Sequence, residues 1–261
     1  MSVLCTLVSG SSGNAALLSH KGVNILIDCG ISGKQAALCL CDIGKSPDMI
    51  HYILVTHEHT DHTKGVGVLS RRFNIPIIAS QGTWRGMDIG KIPSENKIAF
   101  ERNDEFILGD IAVTPFNIPH DAMQPTGYCF DLGNKKIAVA TDIGHINKEV
   151  KSAVTGCEVV ILESNYDSYM LENGPYPQYL KQRIRSSHGH LCNDDAGDFA
   201  AYLVKTGTKN IILGHLSKEN NSETTAKKTV MRAMSRYGIK IGLDVCLDVA
   251  PRYNAGSVIG L

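Results

Sequence analysis

The sequence predicts an α/β fold, a four-layer αβ/βα sandwich formed by one domain over residues 1–261. Three observations support this prediction. Short apolar segments typical of strands recur through the first half, amphipathic helices follow in the second half, and no repeat or linker divides the chain. The hydrophobic fraction of 43% is enough for a sizeable core, and single α/β domains of about 250 residues are routine.

The first half contains strand segments separated by turn residues. Ser9–Gly13 and Lys21–Gly22 are the first two turns, and a helix is predicted at Gly33–Cys41. The continuous apolar run Ile50–Thr56 is typical of a strand buried on both faces. The other predicted strands are Leu4–Val8, Ala15–Ser19, Asn24–Ile27, Ile75–Ala79, Ile107–Leu108, Ile111–Phe116, Thr126–Asp131, Lys136–Thr141 and Val159–Glu163.

The second half is more helical. Apolar side chains recur with a helical period in Asp194–Lys205, and Asn193 or Asp194 can cap the start of this helix. The strand Ile211–Gly214 follows, and Thr224–Tyr237 is predicted as a basic helix. Strands in two sets, with helices outside them, favour the layered sandwich.

Charge and cysteine usage limit the classes of partner. The 26 basic and 26 acidic residues balance, so a nucleic-acid partner would have to be held by a local basic patch. The eight cysteines include no CxxC pair. The first residues lack a basic and apolar signal segment, and no run of about 18 apolar residues occurs. We therefore expect a cytoplasmic protein that does not span a membrane.

One hexapeptide has the residue types and spacing of a metal site. His57-Glu58-His59-Thr60-Asp61-His62 follows a predicted buried strand, where residues two apart point the same way. His57 and His59 can therefore bind one ion, while Asp61 and His62 can face a second. Imidazole suits zinc, and carboxylates admit harder ions such as manganese. The alternative is a solvated turn that happens to be rich in histidine.

Further candidate ligands end other apolar strands. His120, Asp142 and His215 each follow such a segment, and so does Asp28. Polar residues at the rim of a sheet are common, and any one of these has an ordinary structural explanation. Their recurrence in this order after the hexapeptide favours a shared metal site.

With these pieces and Leu26–Gly30, the chain resembles the metallo-β-lactamase superfamily over its full length. The resemblance implies two divalent ions, zinc or manganese. It implies that the first ion is bound by His57, His59 and His120, the second by Asp61, His62 and His215, and that Asp142 bridges both. It also implies that Asp28 orients a ligand imidazole.

Four stretches narrow the resemblance to the YycJ/WalJ group of nucleases, relatives of tRNase Z and ribonuclease J. They are Ser9–Asn14, Leu26–Ser32, Leu162–Asp167 and Gly189–Asn193. This resemblance implies a 5′→3′ exonuclease on double-stranded DNA, linked to mismatch repair. The inserted clamp domain of the ribonuclease J branch is not expected, because the chain has no spare block of about 150 residues.

The resemblance also implies a mechanism and three catalytic residues. A hydroxide bridging the two metals would attack phosphorus, with Asp61 as a required ligand. Similarity to tRNase Z-like enzymes suggests that His190 protonates the leaving oxygen and that Glu163 keeps His190 protonated. The alternative is that His190 merely caps the start of the helix that follows it, or hydrogen-bonds to that start.

Two sets of residues are candidates for phosphate contacts. Ser11, Ser12 and Asn14 lie in a Gly-rich loop whose backbone N–H groups can bind an anion, although hairpin turns use the same residues. Arg183 and Arg185 precede the His190 segment and could form the local basic patch that binds DNA, or simply a solvated face.

Three functions remain open on the sequence alone: a metal-dependent nuclease, a small-molecule hydrolase of thioesters, lactones or cyclic phosphodiesters, and a non-catalytic adaptor. Glu163 and His190 favour the nuclease, because a thiolate or carboxylate leaving group needs less protonation. An adaptor predicts missing ligands, yet every ligand position of the family is filled.

Overall fold

The computed structural model describes residues 2–101 and 104–261, which form two compact units. The first unit contains Met1–Pro115, Ala122–Thr126 and Ala250–Leu261, and the second contains Phe116–Asp121 and Gly127–Val249. Because the chain passes between the units several times, no single linker separates them. This explains why the composition shows no boundary.

The strands are numbered in chain order. They are β1 (Val3–Val8), β2 (Ala15–His20), β3 (Val23–Ile27), β4 (Tyr52–Leu54), β5 (Ile77–Ser80), β6 (Lys97–Phe100), β7 (Phe106–Leu108), β8 (Ile111–Asn117), β9 (Thr126–Asp131), β10 (Lys136–Ala140), β11 (Val159–Glu163), β12 (Asn210–Gly214), β13 (Cys246–Val249) and β14 (Ile259–Gly260).

The α-helices are numbered in the same way. They are α1 (Gly33–Asp42), α2 (Thr60–Thr63), α3 (Val66–Phe73), α4 (Gln81–Gly86), α5 (Lys148–Val154), α6 (Ser168–Asn173), α7 (Gln178–Arg185), α8 (Asn193–Lys205) and α9 (Glu223–Arg236). Among the described residues, no helix combines the length and the apolar character needed to cross a membrane.

The first sheet has the order β14-β1-β2-β3-β4-β5-β6. Strands β1, β2 and β3 are antiparallel, whereas β3 to β6 are parallel neighbours. Ile27 of β3 pairs with Leu54 of β4, so the residues after these two strands emerge at the same edge. Asp28 and the hexapeptide are therefore brought to one end of the sheet.

The second sheet has the order β13-β12-β11-β10-β9-β8-β7, with β10 to β13 parallel. Ala140 of β10 pairs with Leu162 of β11, and Glu163 pairs with Gly214 of β12. The register places Asp142, Glu163 and His215 at one end of this sheet.

Each unit has its own apolar core between a sheet and helices. In the first unit, Leu40 of α1 and Leu69 of α3 pack with buried strand residues such as Ile53. In the second, Phe199 of α8 and Val230 of α9 pack in the same way against their sheet. Burying one such side chain contributes about 1.5–3 kcal/mol, so these faces hold the helices against the strands.

Two of the predicted elements differ in detail from the structure. The strand expected at Ile50–Thr56 is shorter, because Thr56 leaves the strand and its N–H donates to Asp28 Oδ1 at 2.8 Å. Helix α8 is not capped by Asn193 or Asp194. Instead the Cys192 thiol accepts a hydrogen bond from the backbone of the first turn.

Candidate metal centre

The hexapeptide supplies the first ligand group, defined here as His57, His59, Asp61 and His62. His57 lies just beyond β4, and His59 keeps an extended backbone as the residue before α2. Asp61 and His62 then lie in the single turn of α2. His57 and His62 are buried, whereas Asp61 is partly exposed. The change from extended chain to helix thus brings four candidate ligand side chains together from six consecutive residues.

The spacing within this group fits a divalent cation. The nitrogens His57 Nε2 and His59 Nδ1 lie 3.0 Å apart. Nitrogen ligands about 2.0–2.1 Å from a tetrahedral zinc ion lie roughly 3.3 Å from one another. The rings of His57 and His62 are also close, with centroids 4.2 Å apart. Three imidazoles gathered in this way are typical of a metal site.

Asp28 and Thr56 fix the orientation of the ligand rings. His62 Nδ1 lies 2.8 Å from Asp28 Oδ2, and His57 Nδ1 lies 3.0 Å from Thr56 Oγ1. Asp28 also accepts hydrogen bonds from the N–H and hydroxyl of Thr56. Both Nδ1 atoms are therefore engaged, and these contacts fix the direction in which each Nε2 atom points. The contact predicted for Asp28 is present. Thr56 was missed, and its only sequence signal is its place directly before His57.

Asn14 connects the Gly-rich loop to the first ligand group. Its backbone N–H donates to Asp61 O at 2.8 Å, and its Nδ2 lies 3.1 Å from His62 Nε2. Asn14 is buried, whereas Ser11 and Ser12 are exposed at the tip of the loop. The predicted phosphate contacts of these three residues stay predictions.

Gly30 allows a close backbone approach in the first ligand group, so Gly30→Ala is expected to be destabilising. A Cβ there would lie 1.6 Å from Asp61 O and 2.1 Å from Asp61 C. Because the backbone at Asp61 would have to move to make room for this Cβ, we expect a loss of at least about 3 kcal/mol in the free energy of unfolding. Urea denaturation measures it. Gly260→Ala is the control, since a Cβ at Gly260 meets no atom within 4 Å. Equal midpoints for both variants would contradict the prediction.

The second ligand group is defined as His120, Asp142 and His215, all buried. Asp142 Oδ1 lies 3.2 Å from His215 Nδ1 and 3.7 Å from His120 Nε2. One ligand atom from each of Asp142, Glu163, His190 and His215 falls within 4.8 Å of the others. Carboxylate and imidazole side chains in this arrangement also suit a divalent cation.

Glu163 holds two histidines at once. It is fully buried at the end of β11, and its Oε1 lies 2.8 Å from both His190 Nδ1 and His215 Nδ1. Its Oε2 accepts from the N–H of Leu191 at 3.1 Å. Burial favours the neutral acid, but the charges and hydrogen bonds of His190 and His215 hold the pKa of Glu163 well below its usual range.

His190 is placed by Glu163 rather than by the following helix. The predicted Glu163–His190 pair is present, and α8 is capped by Cys192. The alternative of a helix-capping His190 is therefore not observed. The neighbouring Gly189 carbonyl lies 3.0 Å from His120 Nδ1, and burial lowers the pKa of His120. A neutral His120 is the form that binds a metal. The Glu163–His215 contact and the Gly189 carbonyl were not predicted.

Three residues at strand ends adopt left-handed backbone conformations. The φ angles are 58° at Asp28, 61° at Asp142 and 55° at His215. Such angles are uncommon outside glycine and typically cost about 1–3 kcal/mol each. Each of these residues lies one or two positions beyond the end of its strand. Strain of this kind clusters at functional sites.

The predicted basic patch is largely paired internally. Arg183 Nε lies 2.6 Å from Asp121 Oδ2, and Arg185 Nη1 lies 2.6 Å from Glu172 Oε2. Lys181 donates to the Glu172 carbonyl. The role of Arg183 and Arg185 in phosphate binding stays a prediction, but their carboxylate partners reduce the positive charge available.

A family model described as "Beta-lactamase superfamily domain" matches residues 23–216. The chain is 38% identical to "Exodeoxyribonuclease YycJ" of Bacillus anthracis over 238 residues, which cover 90% of each protein. The chain belongs to the metallo-β-lactamase superfamily. "Exodeoxyribonuclease WalJ" of Streptococcus pneumoniae is 37% identical over 242 residues, covering 91% of this chain and 90% of that protein. The predicted place in the YycJ/WalJ group of this hydrolase superfamily is thereby confirmed.

Solved structures of the metallo-β-lactamase superfamily confirm the fold. The "metallo-beta-lactamase fold protein YhfI" of Bacillus subtilis matches with a TM-score of 0.73 at 15% identity, covering 98% of this chain and 99% of that one. Human tRNase Z, short form, matches with a TM-score of 0.64 at 17% identity and 98% coverage of both chains. The predicted α/β sandwich is therefore correct.

Proposed function

We propose that the chain is a metal-dependent exodeoxyribonuclease in which the two ligand groups together hold two divalent ions. One ion would be held by His57, His59 and His120, the other by Asp61, His62 and His215, with Asp142 shared. Membership in the superfamily and the ligand types and spacing within each group support this assignment. Zinc and manganese both fit, because imidazole suits the former and carboxylate admits the latter.

The observation that carries the proposal is Glu163 bound to both His190 and His215. The buried carboxylate orients His190, which is partly exposed and so can reach a substrate as the proposed proton donor. The same carboxylate orients His215, a proposed ligand. One residue thus links the proton donor to the metal site.

This arrangement favours phosphodiester hydrolysis over thioester or lactone hydrolysis. Bound divalent ions would acidify water and offset negative charge on a phosphoryl oxygen. The deoxyribose oxygen that leaves is strongly basic, so His190 would donate a proton to it. A thiolate or carboxylate leaving group gains less from such a donor.

The finer activity follows the curated relatives, both named exodeoxyribonucleases. We extend to this chain 5′→3′ action on double-stranded DNA, a role in mismatch repair, and the cytoplasm as its location. DNA is the proposed partner.

The experiment compares substrates with the zinc- or manganese-loaded protein. Duplex DNA with a 5′-phosphate, labelled at either the 5′ or the 3′ end, is offered beside single-stranded RNA and a chromogenic thioester. The expected result is early release of the 5′ label as mononucleotide, stopped by a chelator. Thioester turnover with intact DNA would indicate the small-molecule hydrolase, and inertness towards every substrate would indicate an adaptor.

A further inference from the structure

A cavity of about 310 Å³ lies in the first unit beside the Gly-rich loop. We call it the Arg252 pocket, and its polar lining consists of Ser12, Ser32, Gln35, Lys64, Arg252 and Tyr253. Helix α1 begins directly after Ser32, whose hydroxyl caps it by accepting from Gln35 N. The first turn of α1 carries no acidic residue, so its positive end also faces an anion favourably.

The charge of the pocket is positive. Lys64 and Arg252 line it, and no carboxylate does. Within residues 2–101 and 104–261, neither cation forms an ion pair, and the buried Arg252 Nη1 has no hydrogen-bond partner. Arg183 and Arg185, in contrast, each already bind a carboxylate. A guanidinium N–H without a hydrogen-bond partner in a cationic cavity favours an anionic ligand.

The pocket adjoins the first ligand group. Gly30 forms part of its wall, and a Cβ at this position would touch Asp61 O. Lys64 follows directly after the helical turn that carries Asp61 and His62. An anion bound to Lys64 would therefore lie next to the metal ligands. Neighbouring phosphates of one nucleic-acid strand could then occupy the pocket and the metal site together.

An aromatic side chain completes the pocket. Tyr253 follows Arg252 in sequence, lines the same cavity and is 60% exposed. An exposed aromatic ring beside two cations provides the two contacts that bind a nucleotide: stacking on its base and ion pairs with its phosphate.

We propose that the Arg252 pocket binds a nucleotide next to the one that is cleaved. Lys64 and Arg252 pair with its phosphate, and Tyr253 stacks on its base. This inference rests on the proposed nuclease function and assigns positioning residues to it. The contacts are to phosphate and to a base face, so the pocket tolerates any sequence.

Equilibrium binding tests the pocket apart from catalysis. A fluorescent phosphorothioate duplex, which resists hydrolysis, is titrated with the wild-type protein and with Arg252→Met, Lys64→Met and Tyr253→Ser. Each variant is expected to weaken binding about tenfold. The charge variants should also reduce the slope of log affinity against log salt by about one. Tyr253→Phe keeps the ring and should bind as the wild type does.

Lys91→Met is the matched control, because Lys91 is an exposed cation of the first unit outside the pocket. It should leave the affinity unchanged. With cleavable DNA, the pocket variants should raise KM about tenfold, whereas Lys91→Met should keep the wild-type KM. Thermal unfolding midpoints equal to wild type establish that the variants fold.

The outcomes separate the two proposals. Duplex affinity that is equal in wild type and Arg252→Met overturns the pocket, whatever the catalytic result. Wild-type protein that binds DNA through the pocket but does not cleave it overturns only the nuclease. Calorimetry with inorganic phosphate forms the third arm. Loss of phosphate binding in Arg252→Met, with unchanged duplex affinity, would show a site for a free anion and contradict the proposal.

Discussion

Glu163→Gln is expected to lower kcat for DNA cleavage by about 10³-fold or more. The reason is that the carboxylate would no longer orient His215 or hold His190. Glutamine can still accept from Leu191 N, but its amide nitrogen would then face His190 and His215. Those rings would have to accept at Nδ1 and carry their proton on Nε2. His215 would lose the lone pair that binds metal, and His190 would lose the carboxylate that contacts its Nδ1 atom. Steady-state kinetics and metal content by mass spectrometry measure the two effects.

His190→Gln separates these two effects. It removes the proposed proton donor and leaves the contact between Glu163 and His215, so the rate should fall while metal content stays at the wild-type level. Glu163→Gln should lower both the rate and the metal content. If Glu163→Gln keeps its full metal content and matches His190→Gln in rate, Glu163 does not orient a metal ligand.

Asp28→Asn is expected to weaken binding of one divalent ion by about 10–100-fold. Asparagine tolerates the left-handed backbone found at this position, so the replacement tests the carboxylate rather than the fold. The amide would put a donor against His62 Nδ1 or lose the hydrogen bond from Thr56 N. Either result disturbs the orientation of His62. Zinc competition with a chromophoric chelator measures the affinity.

The activity of Asp28→Asn should recover at high metal concentration, because the ligands themselves remain. Asp48→Asn is the control, since Asp48 is an exposed acid in a 3₁₀ turn. Unchanged zinc affinity in Asp28→Asn would show that the hydrogen bond to His62 does not orient the ligand.

The fold was predictable wherever the hydrophobic pattern of the sequence determines the secondary structure. Buried strands such as β3 and β11 and the long amphipathic helix α8 were identified to within one residue at each end. The short helices α2 to α7 were not predicted, because each is set by tertiary contacts rather than by its own periodicity, and strands β13 and β14 were not predicted either. Strand β6 was missed because three of its four residues are exposed.

The sequence identifies candidate site residues, but it does not show how their side chains are held. Ligand types recur at strand ends, and this pattern can be read from sequence. That Glu163 binds His215 as well as His190 depends on the parallel register of β11 and β12, which no local pattern specifies. The pairing of Arg183 with Asp121 is likewise a contact between residues far apart in sequence.

The left-handed backbone at Asp142 and His215 limits how the proposed metal centre could be re-engineered for another metal. Exchange of either residue for glutamate or cysteine would combine a new donor atom with a conformation that such residues rarely adopt. His59 carries an ordinary extended backbone, with φ of −61°. Attempts to change metal preference should therefore succeed first in the hexapeptide, where donor chemistry can vary without opposing the main chain.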